Sequence, residues 1–265
     1  MRRNLTKTAL ITGASSGIGE ALARIHAKQK GDLVLVARRK VRLETLKAEL
    51  EATHNVSVMV IAEDLSVPEA AKRIHAAVVG AGITVDYLIN NAGFGARGKF
   101  HEMPWEQIHS MIAVNSTALA AVSHLFLPDF VMRDVGRILN VTSTAAEMPG
   151  PMQAIYFATK GFAAYLSNAL VEELSDTNVS VTNFMPTATA SEFADVAGMA
   201  GTPLFANTAT AQRVAQDGYD AVMRGDMDAY GGMKPKRRLM QMLIKIMPKR
   251  AAMRAVRKAQ EANAS

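Results

Sequence analysis

The stretch Thr12-Gly13-Ala14-Ser15-Ser16-Gly17-Ile18-Gly19 ends a short apolar run and opens a segment of helical period. A strand, a glycine-rich turn and a helix in this order favour a parallel α/β fold. The glycines allow a tight turn and a close approach of the main chain to a pyrophosphate, whose charge then lies at the positive end of the helix. Because the spacing is G-x-x-x-G-x-G and not G-x-G-x-x-G, a turn that binds no ligand is the alternative.

Outward from this turn, short β-branched runs alternate with longer helical patterns. The runs predict strands near 8–12, 33–37, 57–62, 87–90, 137–141, 179–184 and 229–230. The stretches between them predict helices at 17–29, 41–53, 68–80, 104–133 with a break, 153–176 and 210–224. Since the strands are almost continuously apolar, we expect both faces of the sheet to be covered. The predicted fold class is α/β: a single doubly wound Rossmann-type domain with a central, mostly seven-stranded parallel sheet.

The net charge of +6 is concentrated at the C-terminal end. Ten Lys or Arg residues and one acidic residue follow Met233, which gives +9 there and −3 for residues 1–233. We therefore divide the chain into a main domain, 1–233, and a basic amphipathic helical extension, 234–265. Because the basic charge belongs to the extension, we expect no nucleic-acid partner.

The extension carries Leu239, Met242, Leu243 and Ile246 at helical spacing, and Pro248 is predicted to end this helix. A basic amphipathic helix either packs its apolar face on the domain or on a partner subunit, or lies against anionic lipid. Peripheral membrane contact through 234–258 is thus one of two alternatives.

The chain has 265 residues, 49% of them hydrophobic, and no cysteine, which excludes disulfide scaffolds and thiolate catalysis. The first apolar run stops at Thr12, too early for an export signal, and stretch 107–128 holds too many polar groups for a transmembrane helix. We therefore expect a cytoplasmic protein. The six histidines show no ligand spacing, so we expect no metal site.

The second predicted strand ends in Val36-Ala37-Arg38-Arg39. A site for NAD normally carries an acidic residue here, which binds the ribose 2′-hydroxyl. Two guanidinium groups suit a 2′-phosphate instead, so NADP(H) is favoured and NAD(H) is the alternative cofactor. If no cofactor binds, Arg38 and Arg39 only solvate a loop.

Polar residues also follow later strands. Asp64-Leu65 follows the third and Asn91-Ala92-Gly93 the fourth, where the carboxyl edge of a parallel sheet gathers its ligand. Tyr156 and Lys160 are four residues apart and share one face of a predicted helix. An ammonium group favours a neighbouring phenolate, so Lys160 is expected to lower the pKa of Tyr156. An amphipathic surface pair is the alternative.

Together, TGASSGIG at 12–19, NNAG at 90–93 and Tyr156-Phe157-Ala158-Thr159-Lys160 resemble the short-chain dehydrogenase/reductase family over about the first 230 residues. The resemblance implies that Tyr156 exchanges the proton, Ser143 binds the substrate carbonyl, and Lys160 also holds the nicotinamide ribose. It implies that Asn115 organises a water relay. Thr142 is the alternative contact for the carbonyl, and Asn115 has a second reading as a buried structural amide.

The resemblance further implies an NADP(H)-dependent oxidoreductase that interconverts a ketone or aldehyde with an alcohol by direct hydride transfer. A dehydratase or epimerase on the same scaffold and a non-enzymatic NADP-binding regulator are the alternatives. The expected partners are a small carbonyl or alcohol substrate and further copies of the chain, as a dimer or tetramer formed through 104–133 and 153–176. The expected cofactor contacts are Gly13, Ser15, Ser16, Gly17, Ile18, Gly19, Arg38, Arg39, Asp64, Leu65, Asn91, Ala92, Gly93, Tyr156, Lys160, Pro186, Ala188 and Thr189.

The sequence departs from the family pattern at Thr187, where many members have glycine after Pro186. A branched residue adopts glycine-only backbone angles at a cost, so we expect an altered contact with the nicotinamide carboxamide. Segment 190–207 occupies the position of the family's substrate-covering loop. Its apolar residues indicate either a lipophilic substrate or simple packing on the domain.

Overall fold

The computed structural model of the protein describes residues 7–233 and 247–260. The larger elements alternate along the chain as β1 (Thr8–Thr12), α1 (Gly17–Lys28), β2 (Asp32–Ala37), α2 (Lys40–His54), β3 (Val58–Ala62), α3 (Ala70–Gly80), β4 (Tyr87–Asn90), α4 (Trp105–Ile112), α5 (Leu119–Met132), β5 (Gly136–Val141), α6 (Ala154–Glu173) and β6 (Val179–Pro186). After these come β7 (Thr189–Ala190), α7 (Phe193–Val196), β8 (Ala209–Thr210), α8 (Ala211–Arg224), β9 (Asp228–Gly231) and α9 (Lys249–Gln260).

Seven strands form one sheet in the order β3-β2-β1-β4-β5-β6-β9, and every neighbouring pair is parallel. The predicted fold class is confirmed, including the last strand, which extends over Asp228–Gly231. The strand order reverses direction between β1 and β4. In an open parallel sheet, the crevice at the carboxyl ends of such a pair is where ligands bind.

Alternate side chains of each central strand enter different layers, as the pleat of a strand requires. Ile11, Ile89 and Leu139 join a core covered by α1, α2 and α8. Their neighbours Leu10, Leu88 and Ile138 join a second core covered by α3, α5 and α6. Burial on both faces explains why these strands read as continuous apolar runs in the sequence.

The break predicted within helix 104–133 is a π-helical turn, Ala113–Ala118, between α4 and α5. By length and composition alone, the helical stretch Trp105–Met132 is long and apolar enough to cross a membrane. In the fold, however, Val122, Phe126 and Phe130 pack against the sheet. This pattern is that of a core helix, and the expectation of no transmembrane segment stays a prediction.

The C-terminal part differs from the sequence prediction. Residues Leu239, Met242, Leu243 and Ile246 of the predicted helix lie outside the described residues. Pro248, predicted to end that helix, directly precedes α9, which lies within the predicted helical extension 234–265 but begins where the amphipathic helix was expected to stop. The carbonyl of Pro248 accepts the amides of Ala251 and Ala252 in its first turn. Proline suits this place because the first helical turn needs no amide donor from it.

Candidate active site

A cavity of about 760 Å³ lies at the carboxyl edge of the sheet. The expected cofactor contacts that line it are Gly13, Ser15, Ser16, Gly17, Ile18, Arg38, Arg39, Asp64, Leu65, Asn91, Ala92, Gly93, Tyr156, Lys160, Pro186, Ala188 and Thr189. Ser143 lines the same cavity. Residues far apart in the sequence therefore meet at one place because the ends of β1, β2, β4, β5 and β6 share one edge.

The turn between β1 and α1 is built around three glycines. Gly13 and Gly17 have φ values of +67° and +60°, a region that favours glycine. A side chain on Gly13 would lie 2.8 Å from the Asn91 amide nitrogen and 2.9 Å from Ala92 Cα. Gly19, in contrast, is buried behind the turn and packs against Gly13 and Asn91 without lining the cavity. Its role in the structure is to bring helix and strand close together.

Asn91 ties the end of β4 to this turn. Its side-chain amide donates to the carbonyl oxygens of Thr12 at 2.9 Å and Gly13 at 3.2 Å. The Thr12 hydroxyl in turn accepts the amides of Asn91 and Ala92, each at 3.0 Å. The expectation that Asn91 contacts adenine or its ribose stays a prediction; in the structure its amide fixes the shape of the glycine turn.

Arg39 lies across the glycine turn. Its guanidinium donates to the Ser15 hydroxyl at 3.0 and 3.1 Å and to the Ser16 hydroxyl at 2.7 Å. It also pairs with Glu192 at 2.7 Å, and Glu192 pairs with Arg42 at 2.5 Å. The hydrogen bonds from Arg42 and Arg39 lower the pKa of Glu192 to about 2. The neutral serines thus position an arginine, and Arg42 and Glu192 are two members of the site that the sequence analysis missed.

Tyr156 and Lys160 lie one turn apart on α6, and both are buried. The Lys160 Nζ atom donates to the Val141 carbonyl at 2.8 Å and lies 5.9 Å from the centre of the Tyr156 ring. Ser143 lies two residues after the end of β5, and its hydroxyl accepts the amide of Ala145 at 3.1 Å. The Thr142 hydroxyl is already bonded to Asn183 and Phe184 of β6. Of these two hydroxyls, that of Ser143 is the one that is hydrogen-bonded to Tyr156 at the cavity.

Burial dominates the ionisation of both catalytic candidates. It raises the pKa of Tyr156 to about 12, against the opposing hydrogen bond of Ser143. It lowers the pKa of Lys160 to about 8, because a buried ammonium loses its solvation. We expected Lys160 to lower the pKa of Tyr156, but in this structure the pKa of Tyr156 is raised. At neutral pH the phenol stays protonated, which suits a proton donor.

Asn115 lies in the π-helical turn and does not line the cavity. Its side chain accepts the Phe94 amide at 3.0 Å and donates to the Phe94 carbonyl at 2.8 Å and the Thr159 hydroxyl at 3.1 Å. These contacts fit the reading of Asn115 as a structural amide, which holds the loop after β4 against α6. Its part in a water relay stays a prediction.

Thr187 does not have a positive φ, so its position requires no glycine. Its amide and its hydroxyl both donate to the Gly231 carbonyl, at 3.0 and 3.2 Å. These bonds join the end of β6 to β9 and stabilise the site beside Pro186. The strain expected from replacing glycine at this position is absent.

The geometry is matched by a family model described as short chain dehydrogenase, which fits residues 7–199. The chain belongs to the short-chain dehydrogenase family. A short-chain dehydrogenase from Sphingobium yanoikuyae in complex with NADPH has 31% identical residues and a TM-score of 0.81, over 97% of this chain and 99% of that one. The bulky-bulky ketone specific alcohol dehydrogenase from Comamonas testosteroni has 27% identity and a TM-score of 0.77, over 97% of each chain.

Among curated sequences, the very-long-chain 3-oxoacyl-CoA reductase of Mus musculus is 31% identical over 196 residues, which cover 72% of this chain and 62% of that protein. The chain thus spans about three-fifths of the length of this relative. The family model reaches residue 199, so it covers the glycine turn, Ser143, Tyr156 and Lys160 but not α9.

In this short-chain dehydrogenase, segment 190–207 and α9 both contribute residues to the cavity wall. The Phe193 ring packs at a tilt against Tyr156, with 5.3 Å between ring centres, and stacks on Phe205 at 6.2 Å. From α9, the residues Ala255, Val256, Ala259 and Gln260 line the cavity. The sequence analysis included these residues in the helical extension 234–265 but placed its amphipathic helix before Pro248, and it assigned none of them to the cavity. Among the described residues, no group of three or more His, Asp or Glu is arranged to hold a metal ion.

Proposed function

We propose that this chain is an NADP(H)-dependent oxidoreductase that interconverts a ketone or aldehyde with an alcohol. The observation that carries the proposal is the shared cavity, which joins the turn of Gly13 and Gly17 to Ser143, Tyr156 and Lys160. The relative from Sphingobium yanoikuyae, which is bound to NADPH, supports the choice of cofactor.

The residues fit a dinucleotide phosphate. Gly13 and Gly17 line the cavity at the N-terminus of α1, where main-chain amides and the helix dipole suit a pyrophosphate. Arg38 and Arg39 offer guanidinium groups for a 2′-phosphate beside Ser15 and Ser16. Leu65, Ala92 and Gly93 form apolar and backbone surfaces along the same wall. When bound, the nicotinamide cofactor supplies or accepts the hydride.

The protein residues bind the carbonyl and handle the proton. Ser143 donates a hydrogen bond to the substrate oxygen, so that charge developing there meets a donor already in place. The protonated Tyr156 donates its proton to this oxygen in reduction and accepts one in oxidation. Lys160 keeps two further N–H donors after its bond to Val141, and we assign these to the nicotinamide ribose.

The test is turnover of NADPH and NADH with a panel of ketones and aldehydes, in the wild-type protein and in Tyr156→Phe. We expect a higher kcat/KM with NADPH, because of Arg38 and Arg39. Loss of the phenol should lower kcat by about 10²- to 10⁴-fold, the usual contribution of acid–base catalysis. Tyr165→Phe is the matched control, since Tyr165 lies on the same helix with 78% of its surface exposed. Full turnover by Tyr156→Phe would refute the assignment.

The homo-oligomer is part of the proposal. Large apolar side chains remain exposed on the predicted helices, among them Trp105 of α4 and Phe162 and Tyr165 of α6. Exposed apolar surface of this kind is typical of protein interfaces. A dimer or tetramer through α4, α5 and α6 covers these side chains.

Peripheral membrane contact through 234–258 stays a prediction. In the described part of this stretch, Ala252 and Val256 of α9 turn toward the domain, as the packing alternative predicts. Lys249, Arg250 and Arg254 remain exposed and are the charges available to anionic lipid. Co-sedimentation with anionic but not neutral vesicles at low salt is the expected result if the contact occurs. A cytoplasmic location likewise stays a prediction.

A further inference from the structure

The substrate end of the cavity is apolar. Beyond Tyr156 its walls are formed by Phe94, Met148, Phe157, Phe193, Phe205 and Val256. Apart from Lys160, every charged residue that lines the cavity in the described part of the chain lies at the cofactor end. These residues follow β2 or β3 or, in the case of Glu192, pair with Arg39. An ionised substrate group would find no opposite charge at this end, so the end suits a bulky, uncharged molecule.

Two glutamines interrupt this apolar wall. Gln153 and Gln260 both line the cavity and are 3% and 1% exposed. The Nε2 atom of Gln153 and both side-chain polar atoms of Gln260 have no hydrogen-bond partner within the described part of the chain. Buried amide groups are nearly always hydrogen-bonded, because leaving them unpaired costs free energy. Two such groups in one cavity therefore indicate a ligand that pairs with them.

The backbone holds Gln153 in place at the start of α6. Met152 has a φ of +68°, a left-handed conformation that a residue with a side chain adopts only at a cost. Its carbonyl accepts the amide of Gly98 at 2.8 Å, which fixes this conformation. The Gln153 carbonyl then accepts the Phe157 amide in the first turn of α6. The main chain of Gln153 is thus fixed by its neighbours.

The loop that contains Gly98 also positions the main chain of Gln260. The Arg97 guanidinium donates to the main-chain carbonyl of Gln260 at 2.9 Å, and the Arg97 amide donates to the Ala197 carbonyl at 3.0 Å. A side chain on Gly95 would lie 3.5 Å from Nε2 of Gln153. The loop 95–98 therefore lies beside both glutamines, although Gln153 caps the catalytic helix α6 and Gln260 belongs to α9.

We propose that Gln153 and Gln260 form a second recognition site, which binds an uncharged oxygen of a bulky apolar substrate at a distance from the reacting carbonyl. The inference rests on the proposed function and names its substrate class: ketones that carry a further hydroxyl or carbonyl group. Gln153 donates to this oxygen, and Gln260 donates or accepts, so that either group can be bound. Tyr156 and Ser143 bind the reacting carbonyl, and the two sites together fix the orientation of the substrate.

The test uses a steroid monoketone and the same steroid with one hydroxyl group at the opposite end of its ring system. For each, kcat/KM with NADPH is measured in wild type, Gln153→Met and Gln260→Met. We expect wild type to prefer the hydroxyketone at least tenfold, because a site with buried polar groups discriminates against an analogue that leaves them unpaired. Each variant should reduce this preference toward one. Gln216→Met is the matched control, because Gln216 lies on α8 and pairs with Asp220 at the surface.

A wild-type preference near one, or a preference that neither variant changes, overturns the inference. Circular dichroism and the melting temperature verify that the variants are folded. If neither ketone is turned over, the proposed function fails on its own. Equilibrium dialysis of both steroids against the protein without cofactor then decides the inference separately: tighter binding of the hydroxyketone, lost in Gln260→Met, supports it, and equal binding overturns it.

Discussion

At the residue scale, Glu192 links the loop after β7 to the arginines of the cofactor site. Arg39 is assigned to the 2′-phosphate, yet its guanidinium is paired with Glu192 in this structure. The Glu192 carboxylate therefore neutralises the positive charge of Arg39 that would bind the 2′-phosphate. Both ion pairs of Glu192 are partly exposed, and pairs of this kind contribute about 0–1 kcal/mol each.

From this competition we predict that Glu192→Gln binds NADPH about threefold to fivefold more tightly, since about 1 kcal/mol corresponds to a fivefold change in Kd. NADH, which has no 2′-phosphate, should change less. Fluorescence titration of both cofactors measures the effect. Glu102→Gln removes an exposed partner of Lys99 and serves as the control. Weaker NADPH binding by Glu192→Gln would contradict the prediction.

At the element scale, α9 completes the apolar wall. Ala252 is buried, and Val256 packs against the cluster that contains Tyr156, Phe157 and Met111. The helix presents its basic side to solvent, through Arg250 and Arg254. A carboxylate introduced on one side of α9 would therefore face the apolar wall, and the same carboxylate on the other side would face solvent.

Val256→Asp places a carboxylate in the apolar wall, where it has no partner. We expect KM for a bulky ketone to rise about tenfold or more, because an unpaired charge in an apolar site costs at least 1–3 kcal/mol. Arg250→Asp puts the same carboxylate on the exposed side of α9 and should leave KM unchanged. Steady-state kinetics distinguish the two variants, and equal KM values would show that α9 does not bound the substrate.

At the scale of the whole molecule, one buried histidine couples stability to pH. His26 of α1 lies 3.0 Å from the Tyr219 hydroxyl of α8 and 2.9 Å from the Lys7 carbonyl. Burial lowers the pKa of His26 below 6.5. Between the lowered pKa and 6.5 the unfolded chain binds a proton that the folded chain does not bind.

The free energy of unfolding should therefore fall as the pH drops below 6.5, by at most about 1.4 kcal/mol per pH unit from this group. Denaturant unfolding between pH 5 and 7.5 measures this slope in wild type and in His26→Gln, whose slope should be smaller. His101→Gln is the control because His101 is exposed. Identical slopes in wild type and His26→Gln would contradict the prediction.

The oligomer also belongs to this scale. Light scattering should give a mass above the 28.5 kDa of one chain. Trp105→Glu together with Tyr165→Glu should lower that mass, because charges would then face each other across an apolar interface. A mass of one chain for the wild-type protein would contradict the proposed assembly.

Much of the fold follows from local patterns. The central strands β1, β2 and β4 are apolar on both faces, so their positions could be read directly from the sequence, as could the helices around the glycine turn. Tyr156 and Lys160 are recognisable because four residues make one helical turn. The roles of Arg42 and Glu192 could not be found in this way, since nothing local distinguishes them from ordinary surface residues. The packing of α9 on the cavity could not be found either, because it depends on long-range contacts.

The sequence by itself determined the parallel sheet, the glycine turn and the Tyr156–Lys160 pair, because each depends on short-range spacing, while Ser143 came from the family resemblance. Tertiary structure alone decided how these groups ionise and what surrounds them. Burial raises the pKa of Tyr156, although its neighbour in the sequence pattern is a lysine. Gln153 and Gln260 are 107 positions apart in the sequence, and they line the same cavity only because α9 packs on the domain. Solvation and long-range contacts depend on the whole fold, which no local spacing encodes.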